Sequence, residues 1–106
     1  IGASWEAYVI EQLSAILPRG CTLYYYRTSA GAEIDLIIER GGAPIAAIEI
    51  KHSRRPKLSK GFYLAADDLG VEHRFIIAPV EGIQQYTAGT QLVGIDALAQ
   101  LIAAIQ

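Results

Sequence analysis

Two apolar runs joined by a turn, between Gly31 and Ser53, constrain this chain more than any other stretch. Ile34, Leu36, Ile37 and Ile38 form the first run, and Ile45, Ala46, Ala47, Ile48 and Ile50 form the second. Between them lies Arg40-Gly41-Gly42-Ala43-Pro44, rich in residues that accept positive φ or fix a turn, so the pair reads as a β-hairpin. Three charged residues interrupt it: Asp35 in the first strand, and Glu49 and Lys51 in the second. Side chains alternate faces along a strand. Glu49 and Lys51 are therefore expected to share a face with Ile45 and Ala47, while Ala46, Ile48 and Ile50 fill the other. Same-face neighbours lie roughly 6–7 Å apart, and a hairpin that brings Asp35 opposite makes two carboxylates and an ammonium converge.

The remaining elements are read from periodicity. Ala3 to Leu17 predicts a helix with Trp5, Tyr8, Val9, Leu13, Ile16 and Leu17 on its apolar stripe, a cap at Ser4 or just before it, and a stop at Pro18-Arg19-Gly20. Thr22 to Arg27 predicts a strand in which Tyr24, Tyr25 and Tyr26 serve packing. Arg27 has two readings, a phosphate contact or a pair with Glu33. After an irregular link around Pro56, Lys60 to Leu69 predicts a helix burying Phe62, Leu64, Ala65 and Leu69 and ending on Gly70. Arg74 to Ala78 reads as a strand covered on both faces and parallel to the Glu49 strand. Glu81 to Gly89 reads as a loop and Gln91 to Ile95 as a last strand. Asp96 is expected to cap a final helix burying Leu98, Leu101, Ile102 and Ile105. The order α-β-β-β-α-β-β-α makes a single α/β domain over residues 1–106, a mixed four- to five-stranded sheet flanked by helices on both faces.

At 106 residues and 52% apolar content the chain can bury a core. No apolar run approaches the ~20 residues that span a bilayer, and no signal peptide is visible, so the expected setting is cytoplasmic. The single cysteine, Cys21, cannot pair within the chain and suits a reducing compartment. Without methionine, the chain is expected to be a fragment or a processed form. Net charge is −2, so distribution matters more than total. Lys51, Arg54, Arg55, Lys57 and Lys60 lie close together with His52 directly after the hairpin. The run is either a solvated loop or a set of phosphate contacts at Arg54, Arg55, Lys57 and Lys60; what raises the second reading is its adjacency to the carboxylates, not the charge count. His52 and His73 lack zinc-ligand spacing with Cys21, and neither a nucleophile elbow nor a Gly-rich phosphate loop is present.

Asp35, a hairpin, then Glu49-x-Lys51 resembles the core of PD-(D/E)XK phosphodiesterases, the restriction-endonuclease-like fold. Trp5-Glu6-Ala7-Tyr8-Val9, Tyr26-Arg27-Thr28, Gly31-Ala32-Glu33-Ile34-Asp35-Leu36 and Ile48-Glu49-Ile50-Lys51 resemble one domain more closely, DUF4143, over Gly2 to about Val80. Ile34 stands where the superfamily motif is named for proline, although the DUF4143 branch favours Glu-x-Asp. The resemblance implies a nuclease-like domain at the C-terminal end of an AAA-type ATPase, with nucleic acid, DNA above all, as partner, an ATPase domain in the same parent chain, no membrane, and homo-oligomers left open.

A divalent ion activates water and neutralises charge in phosphodiester hydrolysis. Mg²⁺ or Mn²⁺ prefers oxygen ligands, here Asp35, Glu49 and the Ile50 carbonyl, with Lys51 orienting the water or neutralising developing charge. Glu6 suits the helix dipole as a first-turn acid, and the resemblance implies that it faces the metal site. Three functions follow as expectations: a metal-dependent nuclease, a nucleic-acid-binding module with a vestigial site, or a protein-interaction domain that tethers an ATPase.

Overall fold

A computed structural model describes residues 2–106. Ile1, and with it the first position of the expected domain, lies outside the described residues. The chain runs α1 (Gly2–Ile16), β1 (Cys21–Arg27), β2 (Glu33–Arg40), β3 (Ala43–Ile50), α2 (Lys60–Leu69), β4 (His73–Ile77), β5 (Ile83–Thr87), β6 (Thr90–Val93), a 3₁₀ turn (Ile95–Ala97) and α3 (Leu98–Ala104).

The strands form one mixed sheet in the order β1-β2-β3-β4-β6-β5. The two hairpin contacts of β2 are antiparallel, and β3, β4 and β6 are mutually parallel. The connection from β3 to β4 passes through α2, as a parallel pair requires. The fold is thus α/β with three helices, as expected in class, but the sheet has six strands rather than four or five. The additional strand, β5, lies in the expected 81–89 loop. It is an edge strand with four of its five residues exposed, so it carries no apolar alternation to read.

The sheet divides two cores. Leu36, Ile38, Ala46, Ile48, Ile50, Phe75 and Ile77 pack with Val9 and Leu13 of α1 and with Leu98, Leu101 and Ile102 of α3. On the opposite face, Ile34, Ile37 and Ala47 pack with Phe62, Ala65 and Ala66 of α2, with Tyr24 and Tyr26 against them. Burial of this apolar area is the main stabilising contribution. The middle tyrosine, Tyr25, points to solvent beneath the Arg27 guanidinium, 5.5 Å from its ring centroid.

Several local expectations change. Ser4 lies inside α1 and does not cap it, and the position before the helix is outside the described residues. Ile16 and Tyr8 are exposed although they lie on the expected stripe, and Leu64 is 51% exposed because α2 buries only one narrow side. Ser59 caps α2 by accepting from the Phe62 N–H, and Gly70 ends it at φ 68°. Asp96 does not cap α3; its carboxylate accepts from the Gly82 N–H at 2.9 Å and so ties the loop before β5 to the 3₁₀ turn.

Candidate functional site

Gly41 and Gly42 make the two-residue turn of the β2–β3 hairpin at φ 60° and 84°, the backbone that a twisted hairpin demands and that glycine accepts without strain. From that turn the strands pair through Leu36 opposite Ile48. Two irregularities then depart from simple alternation. Ile45 is an extra residue between the pairs Ile38–Ala46 and Glu39–Pro44, and it turns to the α1/α3 core instead of joining Ala47. On the other side of β2, Asp35 and Leu36 together stand opposite Tyr25, between the pairs Tyr24–Ile37 and Tyr26–Ile34. This second bulge lets Ile34 face α2 beside Ile37, while Leu36 faces α1 and α3.

Asp35 sits in that bulge, at the point where β2 and β3 cease to pair. Its Oδ2 accepts from the Ile50 N–H at 2.8 Å, in place of a strand carbonyl. The Glu49 Oε1 lies 3.4 Å from the Asp35 N–H, and the Glu49 Oε2 lies 3.6 Å from the Lys51 Nζ. Glu49 is the more enclosed of the pair, its side chain 12% exposed against 35% for Lys51. Burial, and after it the Asp35 charge, pushes the Glu49 carboxyl up to about 7, against the opposing pull of Lys51. One ammonium does not offset the cost of burying this carboxylate beside another.

Asp35, Glu49 and Lys51 are therefore brought together. Glu6 is not: it is exposed on α1, and no group of three or more His, Cys, Asp or Glu residues suited to a metal exists among the described residues. The helix reaches the site through Trp5, whose Nε1 donates to the Lys51 carbonyl at 2.8 Å. Sequence reasoning placed Trp5 only on the apolar stripe; an indole needs a partner for its N–H when buried, and that requirement was the available signal. Arg27 pairs with Glu33 at 3.3 Å, both side chains about half exposed.

The donor set is hard oxygen: the carboxylates of Asp35 and Glu49, of which Asp35 also accepts from the Ile50 N–H. It fits a Mg²⁺-like ion that keeps several waters, and it does not fit tetrahedral zinc with four protein ligands. Of the basic run, Arg54, Arg55, Lys57 and Lys60 are exposed and make no ion pair among the described residues. A cleft of about 360 Å³ is lined by Ile50, Lys51, Arg55, Pro56 and Lys57 among others. Asp35 and Glu49 do not line it, so it meets the carboxylates through Ile50 and Lys51. Pro56 is buried, and its carbonyl accepts from the Tyr86 hydroxyl at 2.7 Å, so β5 holds the basic loop in place. Among the described residues no helix is long and apolar enough to cross a membrane.

A family model described as "Domain of unknown function (DUF4143)" matches residues 1–98. Two curated relatives, the uncharacterized protein Rv2008c of Mycobacterium tuberculosis and the uncharacterized protein Mb2031c of Mycobacterium bovis, are each 42% identical over 81 residues. That alignment covers 76% of this chain and 18% of each relative, so the chain spans under a fifth of their length. No solved structure matches.

Proposed function

The chain belongs to the DUF4143 family, and from that premise and the geometry of its site we propose a divalent-cation-dependent phosphodiester-binding and hydrolysing domain, restriction-endonuclease-like in fold and of the PD-(D/E)XK type, acting on DNA. The observation that carries this reading is the convergence of Asp35, Glu49 and Lys51 where β2 and β3 part. Asp35, Glu49 and the Ile50 carbonyl would hold Mg²⁺ or Mn²⁺. The ion, when bound, supplies charge neutralisation and an acidified water.

The chain's own residues do the rest. Asp35, anchored on the Ile50 N–H, fixes the position of the negative charge. Glu49 is poised to exchange its proton for a cation near neutral pH. Lys51, held near Glu49, presents an ammonium to a phosphate oxygen. The exposed arginines and lysines beyond it extend that positive field along the cleft. In the parent chain we propose that an AAA-type ATPase domain accompanies this one in the cytoplasm.

A second reading is binding without cleavage, supported by Arg54, Arg55, Lys57 and Lys60, which are exposed and make no ion pair among the described residues. Binding then falls with salt by about 0.9 log unit per log unit of salt for each phosphate neutralised. One experiment separates the readings: plasmid nicking with Mg²⁺ or Mn²⁺, run beside Lys51→Ala, with thermal melts of wild type and Asp35→Asn. Hydrolysis predicts metal-dependent nicking that Lys51→Ala abolishes with the fold intact. It also predicts Mg²⁺ stabilisation of the wild type by RT ln(1 + [L]/Kd), about 1.4 kcal/mol at roughly ten times Kd, most of which Asp35→Asn loses. Metal-dependent stabilisation without nicking leaves the second reading, and neither effect removes the metal site altogether.

A further inference from the structure

Beyond the candidate site lies a second cleft, of about 430 Å³, within the roughly 300–1,000 Å³ range of small-ligand sites. Tyr63 of α2 and Tyr86 of β5 line it, together with Pro56, Lys57 and Leu58 of the basic loop. Pro56 and Lys57 also line the cleft that holds Lys51 and Arg55, so the two clefts adjoin across the loop. Both aromatic rings are fixed from behind. The Tyr86 hydroxyl donates to the Pro56 carbonyl at 2.7 Å, and Tyr63 follows the fully buried Phe62, against which its ring packs edge-on at 5.9 Å. The result is an aromatic slot at one end of a cationic track and a carboxylate–lysine site at the other.

We propose that this slot takes an unpaired base of a single-stranded nucleic acid, whose phosphates follow Lys57 and Arg55 toward Lys51. The proposal deepens the phosphodiester reading and rests on it for the role of Lys51. Positive track and stacking surface are the two requirements of single-strand recognition, and stacking tolerates any base because every base has a π-face. A duplex meets only the first requirement, since its base faces are already stacked. A single strand is thus preferred to a duplex of equal length at the same salt.

The test uses fluorescence anisotropy in chelator, so that nothing is cut. The probes are a labelled oligothymidylate, the matching oligouridylate, an abasic deoxyribose-phosphate oligomer of the same length and charge, and a duplex. Wild type is expected to bind the abasic oligomer roughly fivefold to 150-fold more weakly than the oligothymidylate, the range that one stacked base contributes. The oligouridylate arm reports the combined effect of the 2′-hydroxyl and the missing thymine methyl. Tyr63→Ala and Tyr86→Ala are each expected to shrink the gap between base-bearing and abasic strands. Tyr86→Phe, which keeps the ring and loses only the tie to Pro56, retains most of it. Equal binding of the two oligomers by wild type, binding of neither, or an undiminished gap in both alanine variants overturns the proposal. A protein that nicks plasmid with Mg²⁺ but ignores the base keeps the metal reading and loses this one. A protein that discriminates bases and never nicks does the reverse.

Discussion

The two ends of the β2–β3 hairpin use one backbone for opposite purposes. At the turn end, Gly41 and Gly42 close the chain, and beyond the extra residue Ile45 the strands keep their ladder through Ile38 opposite Ala46 and Ile37 opposite Ala47, all fully buried. At the open end β2 slips against β1 at Asp35, the ladder with β3 stops at Leu36, and a carboxylate takes the Ile50 N–H. The first end contributes apolar burial and satisfied backbone. The second brings two acids together at a cost, with one lysine and one indole to steady them. Stability and chemistry are thus separated along a few residues of the same strands, and the contrast can be tested by perturbing each end.

The largest effect is expected at the paired end. Ile38→Ala removes a fully buried side chain from the α1/α3 core and should cost about 2–5 kcal/mol in denaturant unfolding. Because Ile38 carries no charge and pairs with Ala46 near the turn, that cost should be the same at pH 5 and pH 8, and the same with Mg²⁺ as in chelator. A cost that varies with pH or metal would join the two ends into one unit.

The next effect belongs to the open end and has a defined sign. Glu49 has a folded pKa near 7, above its ordinary value of 4.5. A raised folded pKa means that the native state holds the proton more tightly. This contribution to stability is fully present below the unfolded pKa and is lost as pH rises through about 7. In chelator, the wild type should therefore be less stable at pH 8 than at pH 5 by ~2–3 kcal/mol from this group. Glu49→Gln should lack that component, so the difference between the two stability–pH curves isolates it. Parallel curves would assign the charge strain to another place.

The smallest effect concerns the link between helix and site. Trp5→Phe keeps an aromatic ring on α1 and removes the donor to the Lys51 carbonyl. A cost of about 1 kcal/mol is expected, the usual net value of one such bond. Hydrogen exchange should show the change at residues 50–53 and not at the Gly41–Gly42 turn. Equal loosening at both ends would mean that the indole supports the core as a whole.

Much of this was legible from residue order, for reasons particular to each element. The turn was readable because Gly-Gly tolerates φ values that other residues resist. The β3–β4 pair was readable as parallel because a helix stands between two apolar runs. Glu49 and Lys51 were readable as neighbours because they are two residues apart on a strand. By contrast β5 was missed, since Gln84, Gln85, Tyr86 and Thr87 are exposed on an edge and owe their conformation to β6. Glu6 was placed near the carboxylates by resemblance, whereas the residue that α1 directs to the site is Trp5.

Periodicity and turn chemistry by themselves determined the class of fold, the hairpin and the presence of two acids and a lysine on it, because those depend on local backbone preference and on which side chains avoid water. Only the tertiary structure decided the bulge that aims Asp35 at the Ile50 N–H, the tie from Trp5 to Lys51, and the clasp of Tyr86 on Pro56. Each of these joins segments whose approach is set by packing across the sheet. A one-residue slip in register reverses every face beyond it, and no local pattern in the sequence encodes where that slip falls.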